Sequence, residues 1–193
     1  MRVLFFGLIV ASLLAIRARS DSSRPADAAR RNAAVAAFEA ITPVLHDPRC
    51  LVCHSPGDYP RQGDDLHPHI MDVRRGPHGD GADPVHCSTC HQTHNLEGMH
   101  TPPGAPDWRL PPPDDPLIWQ GLTDRQLCQL ITDPKRNGGR DAKAIEEHIH
   151  TPLVLWAWHP GEGRRPVAMP QGEFLKNVHT WTSAGAPCPN ASN

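Results

Sequence analysis

The sequence predicts a mainly α fold of short helices joined by long Pro- and Gly-rich loops, and three observations carry that expectation. The 193 residues include 22 Pro and 15 Gly, so helices and strands are interrupted often. Apolar residues fall at helical spacing only in short stretches with recognisable caps, and no run shows the β-branched alternation of a sandwich. Only 38% of residues are hydrophobic and 5% aromatic, so something besides apolar side chains is expected to supply the core. At about 100–200 residues per domain, the length fits a single domain.

Taken in order, residues 1–20 read as an export signal. Met1-Arg2 gives a basic start, Val3 to Ile16 an apolar run of 14 residues, and Ala18 and Ser20 are small residues suited to a cut after Ser20. The run is short against the roughly 20 apolar residues of a membrane span. Arg17 and Arg19 beyond it leave an uncleaved N-terminal anchor as the alternative. The remainder, residues 21–193, is then one exported, periplasmic and otherwise soluble domain. With 19 basic against 21 acidic residues and no basic stripe, nucleic acid is excluded as a partner.

Pro25 to Ile41 is Ala-rich, opens with Pro in its first turn and has Pro43 just beyond its end, which predicts a helix. Residues 55–86 carry repeated turn chemistry, and the seven Pro of residues 102–116 predict an extended connection. Thr123 and Gln126 form a capping-box pattern for a helix over Asp124–Thr132, stopped by Asp133-Pro134. Asp141 caps a second helix to about His150, before Pro152. Phe174, Val178 and Trp181 lie at i, i+4 and i+7, the packing face of a last helix.

The chemistry lies in the 13 His and six Cys. Cys50-Leu51-Val52-Cys53-His54 and Cys87-Ser88-Thr89-Cys90-His91 are both C-x-x-C-H. This is the pattern of covalent haem attachment: two thiols on one turn form thioethers to the porphyrin, and the following His is the proximal iron ligand. A four-Cys zinc site, a thioredoxin-like pair and two local disulfides compete. Yet 33 residues separate the pairs, longer than the usual zinc-ribbon spacing, and no βαβ context surrounds either pair. By composition alone, chance would put His after both pairs in about one chain in two hundred. Two haem c groups are therefore expected, and their apolar faces would supply the core that the side chains lack. Cys128 and Cys188 remain, and in an oxidising compartment they predict one disulfide, with two free thiols as the alternative.

Each iron needs a sixth ligand unless its site is open. Pro68 favours an extended backbone at His67, which would turn His67, His69 and Met71 to one side. His69 is the favoured distal ligand of one iron, with Met71 second. His148 shares the face of Ile145 three residues earlier and is favoured for the other iron, with His150 second.

The paired motifs make the chain resemble small exported dihaem c-type cytochromes. The runs Gln62-Gly63-Asp64-Asp65, Arg75-Gly76-Pro77 and Arg136-Asn137-Gly138-Gly139-Arg140-Asp141 resemble, more narrowly, short proteins labelled isoquinoline 1-oxidoreductase subunits. That resemblance implies a cytochrome partner of a molybdenum hydroxylase; the chain itself has no molybdopterin domain and no iron–sulfur Cys pattern. The expected function is single-electron relay between a dehydrogenase and a respiratory acceptor. Two other classes stay open: a small dihaem peroxidase or reductase with one open haem, which needs a general acid or base beside the iron, and a structural zinc-binding module.

Overall fold

The computed structural model describes the backbone of residues 6–190 and the side chains from residue 24 to 190. The export reading of residues 1–20 therefore falls largely outside the described residues: nothing is described of residues 1–5, and only the backbone of 6–20. Among the described residues no helix is long and apolar enough to cross a membrane.

Six helices carry the fold: α1 (Phe6–Leu45), α2 (Pro48–Leu51), α3 (Asp124–Thr132), α4 (Ala142–Ile149), α5 (Pro152–Leu155) and α6 (Gln171–Thr182). Among the described residues strand is confined to two antiparallel ribbons, β1 (Arg61–Gln62) with β2 (His67–Pro68) and β3 (Gly81–Ala82) with β4 (Val85–His86). The mainly α expectation holds.

The first predicted helix is longer at both ends than its prolines suggest, since Pro25 and Pro43 both lie inside α1. A proline leaves the carbonyl four residues earlier without its donor. For Pro43 that carbonyl belongs to Glu39, and Thr42 Oγ1 donates to it at 2.9 Å. The repair lets the helix run on to Leu45. Helix α3 begins at the predicted capping box, with the Gln126 N–H bonded to the Thr123 side chain and the Thr123 N–H to Gln126 Oε1. Asp141 caps α4 through the Ala144 N–H at 2.8 Å. Before that cap, buried Asn137 donates to Ile131 O and Arg140 O and accepts from the Arg140 N–H. The Asn-Gly-Gly-Arg run is thus a loop clamp.

The helices pack on one another in an apolar core of their own, which the first C-x-x-C-H site adjoins. Phe38, Ile41 and Leu45 line one face of α1 and join one cluster with Leu127 and Leu130 of α3, Ile145 of α4, and Phe174, Val178 and Trp181 of α6, all buried. Phe38 and Trp181 sit 4.9 Å apart, centroid to centroid. The apolar residues are few, but their helical spacing gathers them into one core. Cys128 and Cys188 are disulfide-bonded across 60 residues of sequence, tying α3 to the C-terminal segment as expected.

The loops of residues 55–116 have no comparable core. Arg75, 2% exposed, holds them together by donating to Gly57 O and Pro111 O. The first C-x-x-C-H site lies at the margin of the helical core, where Leu51 and Trp119 belong to it and Cys50 and Leu117 pack against it. The second lies out among the loops.

Candidate functional site: two matching Cys-Cys-His turns

Both motifs fold into the same turn. At the first, the Cys53 and His54 N–H groups donate to Cys50 O at 3.2 and 3.1 Å; at the second, Cys90 and His91 donate to Cys87 O at 3.2 and 2.9 Å. A turn closed in this way brings the two thiols together and projects the imidazole beyond them. Asp47 supports the first by accepting the Arg49 N–H at 2.9 Å at the start of α2. All four motif cysteines are free thiols, and Cys90 is exposed.

Each imidazole is then fixed in the same two ways. His54 Nδ1 lies 3.0 Å from Leu117 O, and His91 Nδ1 lies 2.7 Å from Pro103 O. A carbonyl only accepts, so each Nδ1 carries the proton and each Nε2 keeps its lone pair. Trp119 stacks on His54 at 3.6 Å and 2°, and Trp108 on His91 at 4.6 Å and 6°. All four partners come from one stretch. The Pro-rich strap, which turns at Pro106–Asp107 and is not extended throughout, serves the second site first, with Pro103 and Trp108, and then the first, with Leu117 and Trp119. Sequence reading missed these partners, although the strap's two tryptophans were a visible signal. Gly104 lets the strap close: a Cβ there would meet His94 O at 2.2 Å and Gln92 O at 2.5 Å.

Electrostatics separates the sites. Desolvation pushes the Cys50 and Cys53 thiols up to about 12 and His54 down to about 3, the latter opposed by the Leu117 hydrogen bond and deepened by His148, Arg75 and Arg140. A thioredoxin-type attacking cysteine needs the opposite shift. Desolvation also lowers His91, with its bond to Pro103 opposing. The Cys87 thiolate adds to the rise at Cys53, so the two turns are neighbours in space.

Of the four distal candidates, two are brought to a motif histidine. The His69 ring lies 6.0 Å from that of His91, centroid to centroid, and its Nδ1 donates to Ile70 O at 2.6 Å, again leaving Nε2 free. His148, half-buried beside buried Ile145, is close enough to His54 to lower its basicity. The two second choices are not brought in. The expected extended run stops at His69: Ile70–Asp72 is a 3-10 turn in which Met71 takes φ 67° and is 71% exposed. His150 is exposed, its Nδ1 bonded to Glu146 O at 2.8 Å. Among the described residues no three His, Cys, Asp or Glu side chains converge as a tetrahedral zinc site requires.

An open cleft of about 390 Å³ lies beside His91 and Trp108, with Asp80, Asp107 and Arg109 on its walls. Comparison with protein-family models, with curated proteins and with solved structures finds no match. The functional argument therefore rests on the residues.

Proposed function

We propose that the chain is an exported dihaem c-type cytochrome that relays single electrons. Cys50 and Cys53 hold one haem c and Cys87 and Cys90 the other, with His54 and His91 as proximal ligands and His148 and His69 as distal ligands. The observation that carries the reading is the duplication. Two C-x-x-C-H turns with the same hydrogen bonds each present an imidazole whose Nδ1 is tied to a backbone carbonyl and whose ring is stacked on a tryptophan. A metal-bound imidazole characteristically has its other nitrogen tied in this way.

The donor set fits the group. A porphyrin supplies four of six iron ligands, so each site needs only two axial imidazoles and two thiols on one turn. When bound, haem supplies a one-electron Fe(III)/Fe(II) couple. The chain's own part is to orient the ligands and set the surrounding dielectric. His54 is held neutral through the physiological range, as a ligand must be. The first site is buried against the helical core, while the second has an exposed thiol at Cys90, which makes the second the natural point of exchange with a partner. A dehydrogenase on one side and a respiratory acceptor on the other are the proposed partners, and the sequence resemblance suggests a molybdenum hydroxylase as donor.

The test is the intact mass and pyridine haemochrome spectrum of exported protein, followed by electron paramagnetic resonance. Two haems per chain, both low-spin, are expected. The bare polypeptide mass would overturn the proposal. A high-spin haem with peroxide turnover would replace the carrier by an enzyme.

A further inference from the structure

Four buried side-chain atoms among the described residues have neither a hydrogen-bond nor an ion-pair partner: Arg49 Nε, Ser55 Oγ, Arg61 Nε and Trp119 Nε1. All belong to residues around the first C-x-x-C-H turn. Arg49 precedes Cys50, and Ser55, 1% exposed, follows His54. The Arg61 backbone N–H donates to Val52 O at 2.9 Å, and the Trp119 backbone N–H donates to His54 O at 2.9 Å. Neither the turn at Cys87–His91 nor its Pro103 and Trp108 partners contribute an atom to this set.

A buried donor left unsatisfied loses the hydrogen bonds that water gave it, so a cluster of them marks a missing partner. The chemistry of that partner follows from the donors. Guanidinium and indole nitrogens donate and cannot accept, so the partner is an acceptor. Two guanidinium charges make it anionic. Arg49 does meet Asp64, but that carboxylate is shared with Arg165, whose Nε lies 4.0 Å from it, and Arg49 Nε stays unpaired.

We propose that Arg49, Ser55, Arg61 and Trp119 bind the two propionate carboxylates of the porphyrin carried by Cys50 and Cys53. The proposal rests on the dihaem reading and deepens it, because it makes the two sites unequal. The first haem then has its carboxylates beside Arg49 and Arg61, while the second turn has no buried donor without a partner among the described residues. Cations held beside the first haem favour its reduced, less positive iron.

The experiment uses the haem-loaded protein and spectroelectrochemical titration of both couples, with Arg61→Gln, Arg49→Gln and Trp119→Phe. Trp119→Phe keeps a ring against His54 and removes only the donor. Arg136→Gln, an exposed site, is the charge control. Expected is a fall of one couple and not the other. Each arginine variant should shift the reduced-to-oxidised ratio about tenfold, which is 59 mV for one electron. Trp119→Phe should act in the same direction but less, with both haems still low-spin and the propionate bending band in resonance Raman altered. Both couples unmoved in haem-loaded Arg61→Gln and Trp119→Phe would overturn the propionate assignment alone. Equal movement of both couples, or an Arg136→Gln shift of the same size, would also overturn it. Wild-type protein without haem would instead overturn the functional reading beneath it.

Discussion

Gly104→Ala is the sharpest perturbation the structure offers, because it adds one methyl group where the strap closes on the second site. The new Cβ would lie 2.2 Å from His94 O and 2.5 Å from Gln92 O, both backbone atoms with no rotamer to escape into. Restoring ordinary contact requires a displacement of about 1 Å. Pro103 is the adjacent residue, and its carbonyl holds His91 Nδ1 at 2.7 Å. A shift of that size stretches the bond beyond hydrogen-bonding range. Gly104's own N–H bond to Asn95 Oδ1, at 3.0 Å, moves with it. Overpacking costs about 1–3 kcal/mol and each lost bond about 1 kcal/mol, for a total of about 3–5 kcal/mol. In a domain of this size that corresponds to a fall in Tm of about 6–20 °C. The assay is thermal unfolding alongside electron paramagnetic resonance, and only the haem proposed at Cys87 and Cys90 should change its signal. A Tm within 2 °C of wild type, or a change at the first haem instead, would refute the reasoning.

Other outcomes follow from the same geometry. His148→Ala and His69→Ala should each turn one haem high-spin and leave the other low-spin; if both spectra stay low-spin in either variant, that ligand assignment fails. Replacing Cys128 and Cys188 by Ala opens a closed loop of 60 residues and should cost about 4 kcal/mol in a denaturant titration; an unchanged midpoint would count against it. Thr123→Ala removes one half of the capping box and should cost about 1 kcal/mol by the same measurement. Protein with Cys50, Cys53, Cys87 and Cys90 all changed to Ala should keep most of its helical circular dichroism, while residues 55–116 become the first to be cut by protease; loss of the helical signal would show the core to depend on the haem sites.

What was legible in the sequence was local. The capping box at Thr123 and Gln126, the Asp141 cap, the Phe174–Val178–Trp181 stripe and the Cys128–Cys188 pair each depend on neighbouring residues or on the redox compartment, and each has its expected form. Pro43 misled because its effect was cancelled by Thr42, a hydroxyl next door that takes over the stranded carbonyl. Met71 misled because alternation along a strand assumes the strand continues, and a positive φ at Met71 ends it. The tryptophans and carbonyls that hold His54 and His91 were hidden for a different reason. They become partners only when the chain, having passed both motifs, turns back along them, and no local pattern encodes that return. The core was underestimated because a percentage of apolar residues carries no information about where they sit.

The strap between Pro103 and Trp119 has a consequence for assembly. Proline fixes φ, so such a segment has few conformations to lose on ordering. Docked at one end, it delivers its far end with little further loss of freedom. On the dihaem proposal, fastening the second cofactor would therefore lower the entropic barrier to fastening the first, and the reverse would hold equally. Molecules carrying a single cofactor should accordingly be scarce beside those with none or both.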